Sequence, residues 1–385
     1  MGTGITMSMK DKMLWWFVKN IIMPRNEIID IPGFIVLRIS DKTRKVNLRE
    51  ILLPENLISE FEKNIIKKYG FFGKQLLYSI GKKFGYRFAL VSNYPKVNNE
   101  DAFSHFSYFL VRYLESIYAK KLEHFIDFKD KIFTIKAKNW IVCSKNGLGY
   151  MLFDGVGAGM LSYAFNDVSM EGVQIKCQGR GDENCELVCA PPEYFRNKKI
   201  QFLMEKECSN FEFNAFKYNK INAIRNVHYA SNSFRKIIDA GFVKYSEGTI
   251  NIKDERLLLI EASIMYILEN DLKKVKKGLD VLWDVSFEWG VKFAEKAGKQ
   301  DPAKFIMDFF PALGFGDIYV TKRPWKVFVN YFPWTELAEG CDLVMFRGML
   351  SGIISGMEGR KVELKKIRKS SSYADGFSFS VGEQI

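Results

Sequence analysis

Four cysteines in this 385-residue chain stand at spacings that could hold a soft cation. From Gly172 to Pro192 the chain reads GVQIKCQGRGDENCELVCAPP. Val173, Ile175 and Cys177 alternate with polar neighbours on the way in, and Cys185, Leu187 and Cys189 do so on the way out. Gly179, Gly181, Asp182 and Asn184 between them suit a tight turn. This predicts a two-stranded hairpin in which Cys177 and Cys185 face each other across the turn, close enough for two thiolates to share a metal. Cys189 falls on the same strand face as Cys185, and Cys143 precedes the next helix, so a candidate metal set is Cys177, Cys185, Cys189 and Cys143. Small thiols filling a sheet core are the alternative.

The Cys-x-Gly-x-Gly-Asp-x-x-Cys hairpin follows a Gly-containing amphipathic helix, Leu152 to Phe165, and ends in Pro. In these features the chain resembles the 4-vinyl reductase domain family, which includes archaeal predicted hydrocarbon-binding proteins and phenol-sensing regulator domains. The resemblance implies a small hydrophobic or aromatic ligand held between helices and sheet. It also implies a zinc held by an early Cys, a Glu three residues ahead of the hairpin and both hairpin cysteines. Cys177 and Cys185 match the last two. The Glu position is Gln174 and the early Cys position falls near Tyr150, so Cys189 and Cys143 would have to substitute. Zinc is the cofactor such a set would take, in a structural role.

Other constellations are less productive. Gly155, Gly157 and Gly159 lack the last glycine of a dinucleotide loop and any βαβ setting, so they read as close packing of a helix on a sheet. His105 and His124 are expected on one long helix and His228 in a connector, with no haem role. No nucleophile stands at a defensible spacing from a base, so no catalytic residue is assigned.

The elements that position these residues repeat. After an apolar strand, turn and return (from Glu27), Leu57 to Tyr69 and Phe72 to Phe84 have helical periodicity. Asp101 is the expected cap of an aromatic helix running toward Phe128. Strands are expected at Ile132 to Ile135 and Trp140 to Cys143. KIIDAGFVKY (from Lys236) echoes EIIDIPGFIV (from Glu27); LWDVSFEWG echoes LYSIGKKFG; FRGMLSG echoes FDGVGAG. Three echoes in one order predict tandem domains. The fold class expected is α+β, two tandem 4-vinyl-reductase-like domains, each a small antiparallel sheet packed with helices. The divisions are 1–26, an amphipathic helix; 27–195, the first copy with the cysteine hairpin; 196–235, a basic aromatic connector; and 236–385, the second copy without the cysteine pair. Wall residues expected for the ligand pockets are Phe84, Trp140 and Phe153, with Trp283, Trp289 and Phe346 in the second copy.

At 47% hydrophobic and 26% charged residues, the chain can bury two cores. The net charge of +12 permits an acidic partner, and half of the excess lies between Arg196 and Lys236. Its many apolar residues favour a packed connector over a nucleic-acid arm. Six cysteines and no secretory signal suggest a reducing cytoplasm. The opening apolar run, interrupted by Lys19, is too short to span a bilayer; its helix would pack Trp16 and Phe17 on the body or lie in an interface. The expectation is a cytoplasmic binding or sensor protein for a small apolar ligand, with no catalysis assigned, working with a protein partner or as a homodimer. A tethering protein with filled cavities and a reductase of an unsaturated substrate are the alternatives.

Overall fold

The structure, a computed structural model, describes residues 25–40, 45–119, 121–204, 219, 223–246, 249–298, 300–333, 341–367 and 376–381. Residues 1–24 of the expected leading helix and part of the connector lie outside them, and residues 25 and 26, expected to end that helix, belong to a strand.

The described elements run twice through one order. Strands β1 (Arg25–Ile31), β2 (Phe34–Ser40) and β3 (Lys45–Pro54) lead into helix α1 (Glu55–Val91), broken at Gly70, and α2 (Glu100–Ile117). Then come β4 (Lys121–Asp127), β5 (Ile132–Lys138), a single turn α3 (Cys143–Asn146), α4 (Met151–Ala164), β6 (Glu171–Lys176), β7 (Cys185–Ala190) and α5 (Pro192–Asn197). After α6 (Phe234–Asp239), the strands β8 (Lys244–Ser246), β9 (Thr249–Ile252) and β10 (Glu255–Glu261) lead into α7 (Ser263–Leu272), α8 (Gly278–Ala297) and α9 (Pro302–Ala312). The chain ends in β11 (Asp317–Lys322), β12 (Trp325–Asn330), α10 (Val344–Glu358), β13 (Leu364–Ile367) and β14 (Gly376–Val381). Gly70, at φ 59° and ψ −130°, breaks α1 where the second half has separate helices α7 and α8.

Helices packed on antiparallel sheets make this an α+β fold. Two four-stranded sheets share one order, β4-β5-β7-β6 and β11-β12-β14-β13. The third sheet belongs to neither half. Its order is β1-β2-β3-β10-β9-β8, with β3 and β10 antiparallel at the centre, Ile51 opposite Ile260 and Glu50 opposite Glu261. The leading strands of each half also reach across the seam. The buried Arg49 guanidinium on β3 donates to the carbonyls of Gly33, Gly314 and Tyr331, and Leu52 N–H donates to Leu313 O at 3.0 Å. In the other direction the Tyr118 hydroxyl donates to Leu259 O on β10 at 2.5 Å, and Arg256 donates to Asn139 O.

Helix pairs α1–α4 and α8–α10 pack through glycines on both sides. A Cβ on Gly81 or Gly85 would meet the Leu152 or Val156 carbonyl at 1.9 or 2.1 Å, and one on Gly155 or Gly159 would meet Tyr78 O or Lys82 O at 2.1 Å. In the second half Gly290 faces Met349 O and Gly352 faces Phe287 O in the same way. The glycines therefore bring helix to helix. Only Gly157 faces the sheet, as the sequence led one to expect of all three.

Several local expectations need correction. The aromatic helix stops at Ile117 and Asn99 caps it, its side chain accepting from Ala102 N; His124 sits on β4. Trp140 to Cys143 is a turn into α3, not a strand. Lys236 to Tyr245 spans α6 and the start of β8, whereas Glu27 to Val36 is a β-hairpin, so that echo does not mark equivalent elements. The other two echoes fall on α1 with α8 and on α4 with α10. Described parts of the connector touch both halves. Asn219 accepts from Asn47 N–H beside β3, and the Asp317 carboxylate accepts from the N–H groups of His228, Tyr229 and Ala230.

Candidate metal centre and adjoining cavity

The hairpin forms as β6 and β7, with a register shift between Gln174 and Lys176. Gln174 faces inward opposite Leu187 and Val173 and Ile175 lie on the opposite, half-buried face, while the shift after Gln174 lets Cys177 turn inward as well. A short 3-10 turn, Gln178–Arg180, follows Cys177, and Gly181 ends it at φ 97°. Asp182 fastens the turn by accepting the Cys177 N–H at 2.7 Å. Gly179 is needed for closeness, since a Cβ there would lie 2.1 Å from the Cys143 carbonyl.

Cys143 arrives from the other side on a strained turn. Val142 has φ 68°, a conformation that a β-branched residue rarely adopts. The buried Glu55 holds it, accepting Val142 N–H at 2.7 Å while pairing with Lys145 at 2.9 Å. The result is a cluster of three buried thiols, Cys143, Cys177 and Cys185, with their sulfurs all within 4.8 Å of one another.

Hydrogen bonds from the Cys143 and Cys185 thiols, then from the backbone N–H groups of Gly179 and Arg180, hold Cys177 well below the usual thiol range. Burial first, then the bonds to its two neighbours, pushes Cys143 well up. Cys185 is pulled down by its bond with Cys143, but its bond to Cys177 and burial outweigh that and leave it at about 11. Of the three, the Cys177 sulfur is thus the one that gives up its proton most readily, which favours a cation there. Three soft donors suit zinc, and a closed structural zinc site takes a fourth.

That fourth donor is not Cys189. Its sulfur lies under α4, 2.9 Å from where a Gly157 Cβ would stand, and outside the cluster. The strand alternation that put it on the same face as Cys185 was sound, but three residues of strand lie between the two. Gln174 takes part differently. Its Oε1 accepts Tyr150 N–H at 2.9 Å, which fixes the amide so that Nε2 points at Cys143 Sγ, 3.0 Å away. It donates to the cluster instead of coordinating with it.

Beside the thiols lies an apolar cavity of about 50 Å³, walled by α1, α2, α4, β5 and β7. Phe84 and Phe153 line it, with Tyr150, Leu187 and Cys189. A smaller space of about 10 Å³ joins the cavity's wall to the cluster: Trp140, Tyr150, Phe153, Leu187, Gln174 and Cys185 all border it. Trp283, Trp289 and Phe346 line neither space. Trp289 stacks on Phe293, Trp283 stacks on Phe287 beneath the Arg347 guanidinium, and Phe346 is enclosed by Phe310, Phe315 and Phe332.

Sequence reasoning missed the cavity's far wall, Ile260 and Glu261, which β10 contributes from the other half. Glu261 accepts from Ser263 and lies 3.6 Å from Arg87. Burial, then the nearby Glu261 charge, raises the carboxyl of Glu50 opposite it well above the usual range. Nothing in a linear reading ties residue 261 to a pocket centred on Phe153.

Among the described residues no helix is long and apolar enough to cross a membrane. No family model matches the chain, and no curated protein matches it either. Among solved structures it is similar to the phenol-responsive sensory domain of the transcription activator PoxR, determined with phenol, at 13% identity and a TM-score of 0.33, over 43% of this chain and 84% of that one.

Proposed function

We propose that the protein binds or senses a small apolar molecule in its first half, and that it is built from two copies of a 4-vinyl-reductase-like module, residues 27–195 and 236–385. The apolar cavity against α4 is the observation that carries the ligand reading. The repeated element order and the paired glycine contacts support the duplication. Cys143, Cys177 and Cys185 would hold a zinc ion, which would tie the hairpin to the α3 turn. The second copy serves chiefly as a wall, because the rings of Phe310, Phe315, Phe332 and Phe346 pack against one another in its interior. Five described cysteines are buried and unpaired, which supports work in a reducing, cytoplasmic setting.

A cavity of about 50 Å³ is smaller than the roughly 150 Å³ space that accepts benzene. The guest is therefore small, or enters as a flexible side chain such as Met160 turns aside. Thermal unfolding with saturating toluene, phenol or indole tests this. At least one should raise the midpoint, by about 2.7 kcal/mol of stability at a hundredfold excess over Kd. Leu187→Phe, which fills the cavity, should cancel the effect. No response to any of the three in the parent protein would refute the ligand reading.

A further inference from the structure

We propose that the three-thiolate centre is open, and that its fourth coordination position belongs to an external donor, the sulfur of a small apolar thiol reaching it from the adjoining cavity. This rests on the metal part of the proposed function, and it departs from the closed, structural site considered above.

Among the described residues no fourth donor stands at the cluster. Gln174 is the residue nearest to that role, and its oxygen is committed to Tyr150 N–H. Turning the amide over would set N–H against N–H at Tyr150, so the nitrogen keeps facing the sulfurs. Asp154 borders the small space, but no carboxylate oxygen joins the three sulfurs within 4.8 Å among the described residues. Cys189 stands apart under α4.

The space beside the cluster is suited to an incoming group. At about 10 Å³ it holds roughly one water-sized atom group. Gln174 and Cys185 form its inner end, and Tyr150, Phe153 and Leu187 are shared with the larger cavity. A molecule lying in that cavity would extend its head toward the cluster between Trp140 and Leu187. Aromatic and aliphatic walls favour an apolar body, and a thiolate-rich centre favours a soft head atom. With a metal held by the three cysteines, the thiol sulfur would take the fourth position and the thiol proton would leave to solvent. The added negative charge meets donors already in place: Gln174 Nε2 at Cys143, Gln178 N–H at Cys185, and the Gly179 and Arg180 N–H groups at Cys177.

Cobalt(II), with ethanethiol as the probe, tests the idea in the full chain. The protein should take up one cobalt with a spectrum of three thiolates. Ethanethiol should then raise the sulfur-to-metal charge-transfer band by about a third, four sulfurs against three. Gln174→Glu, which supplies a carboxylate, should keep the cobalt and abolish the response. Cys189→Ser and Asp154→Asn should leave the thiol-free spectrum unchanged. Cobalt uptake with no response to ethanethiol, or a thiol-free spectrum altered by either of those two variants, would overturn the open site while leaving the metal reading intact. No cobalt or zinc uptake by the parent chain would overturn both.

Discussion

Replacing Gly81 by alanine should destabilise the protein, although alanine is the better helix former. In a helix interior Gly→Ala is worth about 0.5–1 kcal/mol in favour of the variant. At position 81 the new Cβ would lie 1.9 Å from the Leu152 carbonyl oxygen, where real Cβ contacts essentially never fall below 3.0 Å. Helices α1 and α4 would have to part by about 1 Å, and neither neighbour is a side chain that can turn away. Overpacking costs about 1–3 kcal/mol, and a backbone-to-backbone clash lies at the upper end, so the net loss after the helix gain should be about 2 kcal/mol. Urea unfolding followed by far-UV circular dichroism reads this as a lower midpoint at an unchanged slope. Gly290→Ala, whose Cβ would meet Met349 O at 2.4 Å, should shift the midpoint the same way by less. A midpoint at or above that of the parent for Gly81→Ala would refute the close helix contact on which both the cavity wall and the duplication argument depend.

Two further outcomes follow from buried charge. Lys82 pairs with Glu171 at 3.1 Å, with side chains 0% and 2% exposed, so Lys82→Met leaves a buried carboxylate with Tyr78 as donor but without its cation, and should cost about 3–5 kcal/mol in the same urea assay. Adding Glu171→Gln should return part of it. Burial, the largest influence, raises Glu62 from 4.5 to about 8 even though Leu152 N–H and Asn146 donate to it. The native state then keeps a proton that the unfolded chain releases above pH 4.5, so stability falls as pH rises from about 4.5 to about 8. Glu62→Gln should flatten that part of the stability–pH curve; an unchanged slope would show that Glu62 ionises freely.

The hairpin was readable because its signals are local: alternation, a glycine-rich turn and two cysteines at fixed spacing. Cys143 joined Cys177 and Cys185 because it lies just ahead of α4, which packs on that sheet. Cys189 misled because a shared strand face fixes direction but not distance along the strand. Trp140 to Cys143 looked like a strand from its apolar residues, while Glu55, far away in sequence, draws Val142 into a turn. Gln174 read as a lost ligand, and only its bond from Tyr150 N–H shows which end of the amide faces the sulfurs. The largest omission was the central sheet. Its β3–β10 seam joins residues about two hundred positions apart, and no periodicity within either half encodes a partner that distant.

That seam also explains how unequal halves can coexist. Two separate identical chains meeting along such an edge would be bound to carry the same residues at both ends of the symmetry axis. Within one polypeptide the constraint lapses: thiols and a hollow can be kept on one side while the other is stuffed with phenylalanine. It also means that cutting between residues 204 and 219 would not liberate an independent first unit. The freed piece would lose the strand bearing Ile260 and Glu261, and its hollow would open to water on that flank.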